Sequence, residues 1–245
     1  MPPRQQKKQP LTAMAVRQTR PLRLREIIHG AIRALREARV AYGHGTTNAR
    51  DEAAYLVLHA LGLPLDTSDW DIPVAPDDAD KVAALVDRRI RERKPAAYLT
   101  HEAWLGEFRF YVDERVIVPR SYIAELLVNH LRPWIARRRV RTALDLCTGS
   151  GCLGILLAHS FPRARVDAVD VSRDALAVAR RNTKDYGLDE RIRPVRSDLY
   201  VGLPGRRYDL IISNPPYVTA HDMRALPEEY RREPRIALAG GSDGL

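Results

Sequence analysis

The sequence has no run of 18 apolar residues, so nothing in it is patterned to cross a membrane as a helix. It has only two cysteines, Cys147 and Cys152, in one short glycine-containing stretch. That is too few for a disulfide framework and suits a reducing, cytoplasmic setting. The seven histidines include no H-E-x-x-H spacing, and the cysteines lack partners for a closed zinc site. No metal centre is expected, and His44 and His101 read as structural or surface residues. No apolar segment follows the basic N-terminus, which argues against a secretory signal. Acid is missing from residues 1–25, which hold seven of the 40 bases and leave 33 bases to face 31 acids elsewhere. The charge excess therefore belongs to a tail. Residues 1–21, with four prolines and several glutamines, read as a disordered basic tail, either simply solvated or tethered to RNA phosphates. Arg137–Arg139 read as a solvated face, with RNA contact as the alternative.

What is present is a change of rhythm along the chain. Leu24, Ile27, Ile28, Ala31, Ile32 and Leu35 recur at helical spacing, and this helix is expected to end near Tyr42-Gly43-His44-Gly45. Asn48 is placed to cap a second helix through Leu61, with Asp51 and Glu52 in its first turn. A third helix is expected from Pro76 to about Arg93, with Val82, Leu85, Val86 and Ile90 as its apolar face. Residues 22–97 thus read as a small helical domain. YLTHEAW, FRFYV and RVIV, within 98–120, read as a β-hairpin linker. A helix over 121–135 then opens a second domain, 121–245.

In that domain strands and helices alternate. TALDLC (142–147), ARVDAVDV (164–171), Ile192–Arg196 and YDLIIS (208–213) read as strands, with helices over 151–160 and 173–186, the latter capped by Ser172. This pattern predicts an α/β fold with a parallel sheet and helices on both faces. No closing strand or helix precedes Leu245, so the sheet is expected to be C-terminally incomplete.

Chemistry gathers at the strand ends. DLCTGSGC (145–152) puts glycines between a strand and a helix, where a backbone approaches a ligand closely. Gly149, Gly151 and Gly154 also fit G-x-G-x-x-G, so at this point a dinucleotide stays open. Asp170 ends the second strand and would accept both ribose hydroxyls, while Asp198 ends the third and would reach an adenine amine. Together they favour a nucleoside ligand. After the fourth strand come Asn214, Pro215, Pro216 and Tyr217. Prolines make a rigid corner rich in carbonyl acceptors, Asn214 adds a side-chain acceptor, and Tyr217 offers a flat surface. Such a corner suits a planar NH2 group. Its lone pair is delocalised, so positioning against an electrophile would carry the catalysis. The electrophile that fits a nucleoside crevice is the methyl of S-adenosylmethionine.

DLCTGSGC, AVDV, SDL and NPPYV, in this order, resemble the class I, Rossmann-like S-adenosylmethionine-dependent methyltransferases of planar nitrogens. NPPY is shared by adenine-amine and protein-glutamine methyltransferases. YGHGTTNARDEA (42–53), AAYLTHEAW (96–104), FYVDERVIVPRS (110–121) and EEYRREP (228–234) resemble the protein-glutamine N5 methyltransferases, in the bacterial branch that modifies ribosomal protein L-three. The release-factor branch shares NPPY and the two-domain plan but lacks the YGHGT and YVDERV segments. The resemblance runs from about residue 25 onward. It implies that Thr148, Gly149, Ser150, Gly151 and Cys152 form the cofactor loop, that Asp170 binds ribose, and that Asp198 and Leu199 flank adenine. It implies too that Asn214 bridges donor and substrate amide, with Pro215, Pro216 and Tyr217 shaping the slot, and that the helical domain recognises the substrate protein. Tyr122 stands where the family usually has a second proline, and the family closes its sheet with three more strands. The rival expectations are an adenine-amine methyltransferase on nucleic acid, a release-factor glutamine methyltransferase, and an inactive fragment.

Overall fold

The computed structural model describes residues 21–136 and 139–244. The expectations for the tail through residue 20, and for Arg137 and Arg138 of the basic run, lie outside the described residues. Contacts divide the chain into two units. One takes in the described residues through Val40 together with Asn48–Glu92; the other joins Ala41–Thr47 to the described residues from Arg93 on.

The first unit is built from α1 (Leu24–Glu37), α2 (Ala49–Ala60) and α3 (Pro76–Glu92), with β1 (Leu22–Arg23) paired antiparallel to β2 (Pro73–Val74). The α1 stripe buries Leu24, Ile28, Ala31 and Leu35. The helix stops before the expected Tyr42, because Arg39 turns into the left-handed region at φ 50°. Asn48 caps α2 through bonds from the amides of Arg50 and Asp51. On α3, Val82 and Val86 are buried as expected, but the stripe continues through Arg89. Its guanidinium donates to Glu52 at 2.8 Å, with both side chains almost fully enclosed. Removing either partner would strand a buried charge at a cost of roughly 3–5 kcal/mol. Glu52 therefore does more than complement a helix dipole.

In the second unit, α4 (Ala96–Thr100) stands where a strand was expected. The Thr100 hydroxyl turns back to the Ala96 and Ala97 carbonyls, and His101 closes the turn at φ 54°. The hairpin itself is β3 (Ala103–Leu105) and β4 (Phe108–Phe110), turning at Gly106 with φ 62°. Val116 and Val118 of the RVIV segment are buried without joining a sheet; the Tyr98 hydroxyl donates to the Val116 carbonyl. Next, α5 (Tyr122–Val128) is shorter than expected. His130 and Leu131 adopt positive φ, and Pro133 disfavours helix at the residue before it.

The sheet comprises β5 (Thr142–Leu146), β6 (Arg165–Asp170), β7 (Ile192–Arg196) and β8 (Leu210–Ser213), all parallel, in the order β7-β6-β5-β8. Between them run α6 (Cys152–Ser160) and α7 (Arg173–Asp185). This is the expected α/β arrangement. The chain leaves β5 toward β6 and later returns to β8 on its other side, so the order reverses at β5. Crevices for ligands in open parallel sheets lie beyond the carboxyl ends at such a reversal.

Candidate functional site

Each strand delivers one sequence-predicted segment to the carboxyl edge: 147–152 after β5, Asp170 at the end of β6, Asp198 and Leu199 after β7, and Asn214–Tyr217 after β8. The loop after β5 is fixed from beneath. The Thr148 amide donates to the Val169 carbonyl, and its hydroxyl to Asp145. Asp145 is fully enclosed, and burial pushes its carboxyl up to about 7 against the opposing bonds from Thr148 and the Gly154 amide. Asp170 accepts from the Gly149 and Ser172 amides, both at 2.9 Å. A carboxylate has about four acceptor sites, so capacity remains for hydroxyls.

Within the predicted cofactor loop, Thr148, Ser150, Gly151 and Cys152 are buried and only Gly149 is partly open; Cys147, just before the loop, is partly open too. The loop therefore presents main chain rather than the Ser150 or Cys152 side chains. Burial pushes the Cys152 thiol up to about 12, which makes it inert. A Cβ at Gly149 would meet nothing within 4 Å, so space lies open there. Gly151 has φ 80°, and a Cβ there would lie 3.1–3.2 Å from Ala179, so this position demands glycine.

Sequence reasoning missed two residues here. Cys147 takes φ 62°, a conformation that disfavours a side chain. Its thiol is raised by burial and by the Asp170 charge. The signal was its position immediately after the strand. Asn182, on α7, is buried; it donates to the Ser150 and Tyr111 carbonyls and accepts from the Tyr111 amide. It ties the loop to the segment after β4, a link between residues too distant in sequence to be read from pattern.

After β7, the Ser197 amide donates to the Asp170 carbonyl and its hydroxyl accepts from the Gly202 amide, pinning the turn. Asp198 and Leu199 on that turn are exposed, Leu199 by 52%. After β8, the Ser213 hydroxyl donates to the Leu146 carbonyl, tying the two central strand ends. Asn214 and Pro216 are partly buried; Pro215 and Tyr217 are exposed. This corner is held from behind by the last described residues. The Val218 amide donates to the Leu238 carbonyl, Gly240 to Val218, and Ala220 to Gly241, all at 2.9 Å. A Cβ at Gly240 would lie 2.8 Å from the Tyr217 Cα and 2.9 Å from the Pro216 oxygen; one at Gly244 would lie 2.7 Å from the Tyr217 oxygen. In sequence the G-G-S-D-G stretch looks only like an ending, yet its glycines let the main chain press against the NPPY corner.

Three of the segments that carried the resemblance also meet. Gly43 abuts Tyr230, and the His44 ring lies 4.2 Å from the Tyr230 ring. Glu233, buried, accepts two bonds from Arg120 at 2.7 and 2.6 Å and one from the Val118 amide at 2.9 Å. Burial would raise its carboxyl, but the nearby His44 ring, its Nε2 3.5 Å away, and the bonds and charge of Arg120 outweigh it and hold it below the usual range. This settles Arg120 beside the exposed Tyr122, and places 41–47 with the sheet rather than with the helices. His44 is a buried structural residue and His101 an exposed one stacked on Tyr111. Among the described residues no cluster could hold a metal ion, and no helix is long and apolar enough to cross a membrane.

Residues 122–230 match the family described as the methyltransferase small domain. The curated ribosomal protein uL3 glutamine methyltransferase of Neisseria meningitidis serogroup B is 57% identical over 91% of this chain and 74% of its own length. The protein of the same name from Burkholderia pseudomallei is 56% identical over 91% of this chain and 76% of its length. That from Bordetella pertussis is 57% identical over the same shares. With identity of this order over nine-tenths of its length, the chain belongs to the ribosomal protein uL3 glutamine methyltransferase family.

Proposed function

We propose that this chain transfers a methyl group from S-adenosylmethionine to the side-chain amide nitrogen of a glutamine in ribosomal protein uL3. The observation that carries the reading is the convergence of an open glycine loop, two carboxylates and the Asn214–Tyr217 corner on one edge of the sheet. The residues suit the cofactor. Gly149 leaves open space, Asp170 retains acceptor capacity, and Asp198 has no side-chain partner among the described residues. In this reading Gly149 and Cys147 line its path with main chain, Asp170 takes the ribose hydroxyls, and Asp198 and Leu199 flank the adenine. When bound, the cofactor supplies a methyl activated by a neighbouring sulfonium.

Asn214 accepts an N–H of the substrate amide through its side-chain oxygen, and the main-chain carbonyls of the proline corner accept the other. Tyr217 packs on the amide face. Holding both hydrogens turns the nitrogen lone pair toward the methyl, so the gain comes from positioning. No strong base is required beforehand; the amide proton becomes acidic as the new bond forms and leaves to a carbonyl or to water. An uncharged slot is compatible with a transition state in which the sulfonium loses its charge. The helical unit serves substrate recognition, the basic segment 1–25 contacts ribosomal RNA, and the protein works in the cytoplasm.

The test is transfer of a labelled methyl to purified uL3, with release factor and RNA as rival acceptors. Label in RNA alone would move the assignment to adenine-amine methylation. Asn214→Ala should retain cofactor binding by calorimetry while transfer falls about a hundredfold; near-normal turnover would reject the role given to Asn214.

A further inference from the structure

In the helical unit, α1 carries His29, Arg33 and Arg36 at i, i+4 and i+7, hence on one face. With Arg50 and Trp70 they line an open groove of about 610 Å³, in which Glu37 is the single acid. Several other arginines of this unit are paired, which shows what is unusual. Arg25 pairs with Asp71, Arg88 with Glu92, Arg89 with Glu52 and Arg91 with Asp87. Arg33, Arg36 and Arg50 have no ion-pair partner among the described residues. Three unpaired guanidiniums facing one acid leave the groove positive.

Trp70 is fixed beside α1. Its carbonyl accepts from the Arg25 amide at 2.9 Å, and its indole N–H donates to the Thr67 carbonyl at 3.1 Å. With the N–H already engaged, what remains for a ligand is the ring. The segment preceding the unit is unsuited to fill the groove, since residues 1–20 carry five bases and no acid. An acidic peptide would use the arginines but has no need of the indole. A single-stranded polynucleotide uses both, its phosphates on the guanidiniums and a base stacked on the aromatic ring. We infer that this groove binds single-stranded RNA, with Arg33, Arg36 and Arg50 on phosphates and Trp70 under a base. The choice of RNA over DNA rests on the proposed ribosomal function; the polynucleotide class rests on the groove alone.

The experiment is fluorescence anisotropy of the full chain with a labelled single-stranded RNA oligonucleotide, in a salt series, with single-stranded DNA and a polyglutamate peptide as rivals. Arg33→Glu/Arg36→Glu should weaken RNA binding at least tenfold, and Arg33→Ala/Arg36→Ala should reduce the slope of log K against log salt by ~1.4. The basic N-terminal segment is present in every protein, so these differences isolate the groove. Trp70→Phe, which keeps a ring, should bind within about threefold of the parent; Trp70→Ala, if circular dichroism shows it folded, should lose about tenfold. RNA affinity unchanged in both arginine variants, or polyglutamate binding as tightly as RNA, would overturn the inference; tighter binding of DNA would overturn its assignment to RNA. Anisotropy requires no turnover, so failure here leaves the methyl-transfer proposal standing, and loss of that proposal leaves the polynucleotide groove standing.

Discussion

The loop after β5 and the corner after β8 lie at the same edge of one sheet but are fixed by different means. The first is held by side chains: Asp145 and Asp170 take its hydroxyl and amide, and Asn182 takes the Ser150 carbonyl. The second is held by main chain against main chain, with Gly240 and Gly244 leaving no room for a side chain between them. The loop should therefore respond to changes of charge and pH, and the corner chiefly to changes of shape. Tuning one would leave the other nearly undisturbed.

The hardest test of that contrast is Gly240→Ala. Its methyl would meet backbone at 2.8–2.9 Å, which cannot be relieved by turning a side chain, so the Pro216–Tyr217 corner must shift. Methyl transfer should fall about a hundredfold, ~2.7 kcal/mol on the barrier, while cofactor affinity stays within about threefold. Equal losses in both would show that the two loops are not separately held.

Thr148→Val probes the loop electrostatically. It removes a donor from a buried carboxyl and should cost about 2 kcal/mol in denaturant unfolding. Asp145 is also raised in the folded state, so the native protein keeps its proton where the unfolded chain releases it. Stability should then fall as pH rises from about 4 to about 7, and level off above. In Thr148→Val the fall should extend to higher pH; a melting temperature indifferent to pH across that window would refute the argument.

The smallest effect is expected at Cys147. Glycine accepts φ 62° freely, so Cys147→Gly should raise stability by about 1 kcal/mol with cofactor affinity retained. A destabilised variant would mean that the thiol's packing outweighs the strain.

The sheet was legible because β5 and β8 are short, mostly apolar runs, because strand and helix patterns alternate around them, and because Asp170, Asp198 and Asn214 stand at or just after strand ends. The Asn48 cap was legible because its chemistry is local. What escaped depends on partners far apart in sequence. Arg89 looks like a surface residue until Glu52 is seen against it. Tyr98 and Thr100 have strand-like composition, but the turn is decided by a hydroxyl reaching backward. Gly240 is an ordinary loop glycine until Tyr217 lies behind it. The inward orientation of Ser150 and Cys152 was equally hidden, since a glycine-rich stretch does not reveal which side chains turn to the core.

Asp170 has a consequence of its own. Its two oxygens already join the amides of Gly149 and Ser172. The cradle is thus ordered by the protein's own bonds, and the entropy lost in arranging it is charged to folding rather than to ligand capture. If Asp170 takes the ribose hydroxyls as proposed, nucleoside affinity and thermal resistance are linked through one carboxylate, and drift at that position would erode both together.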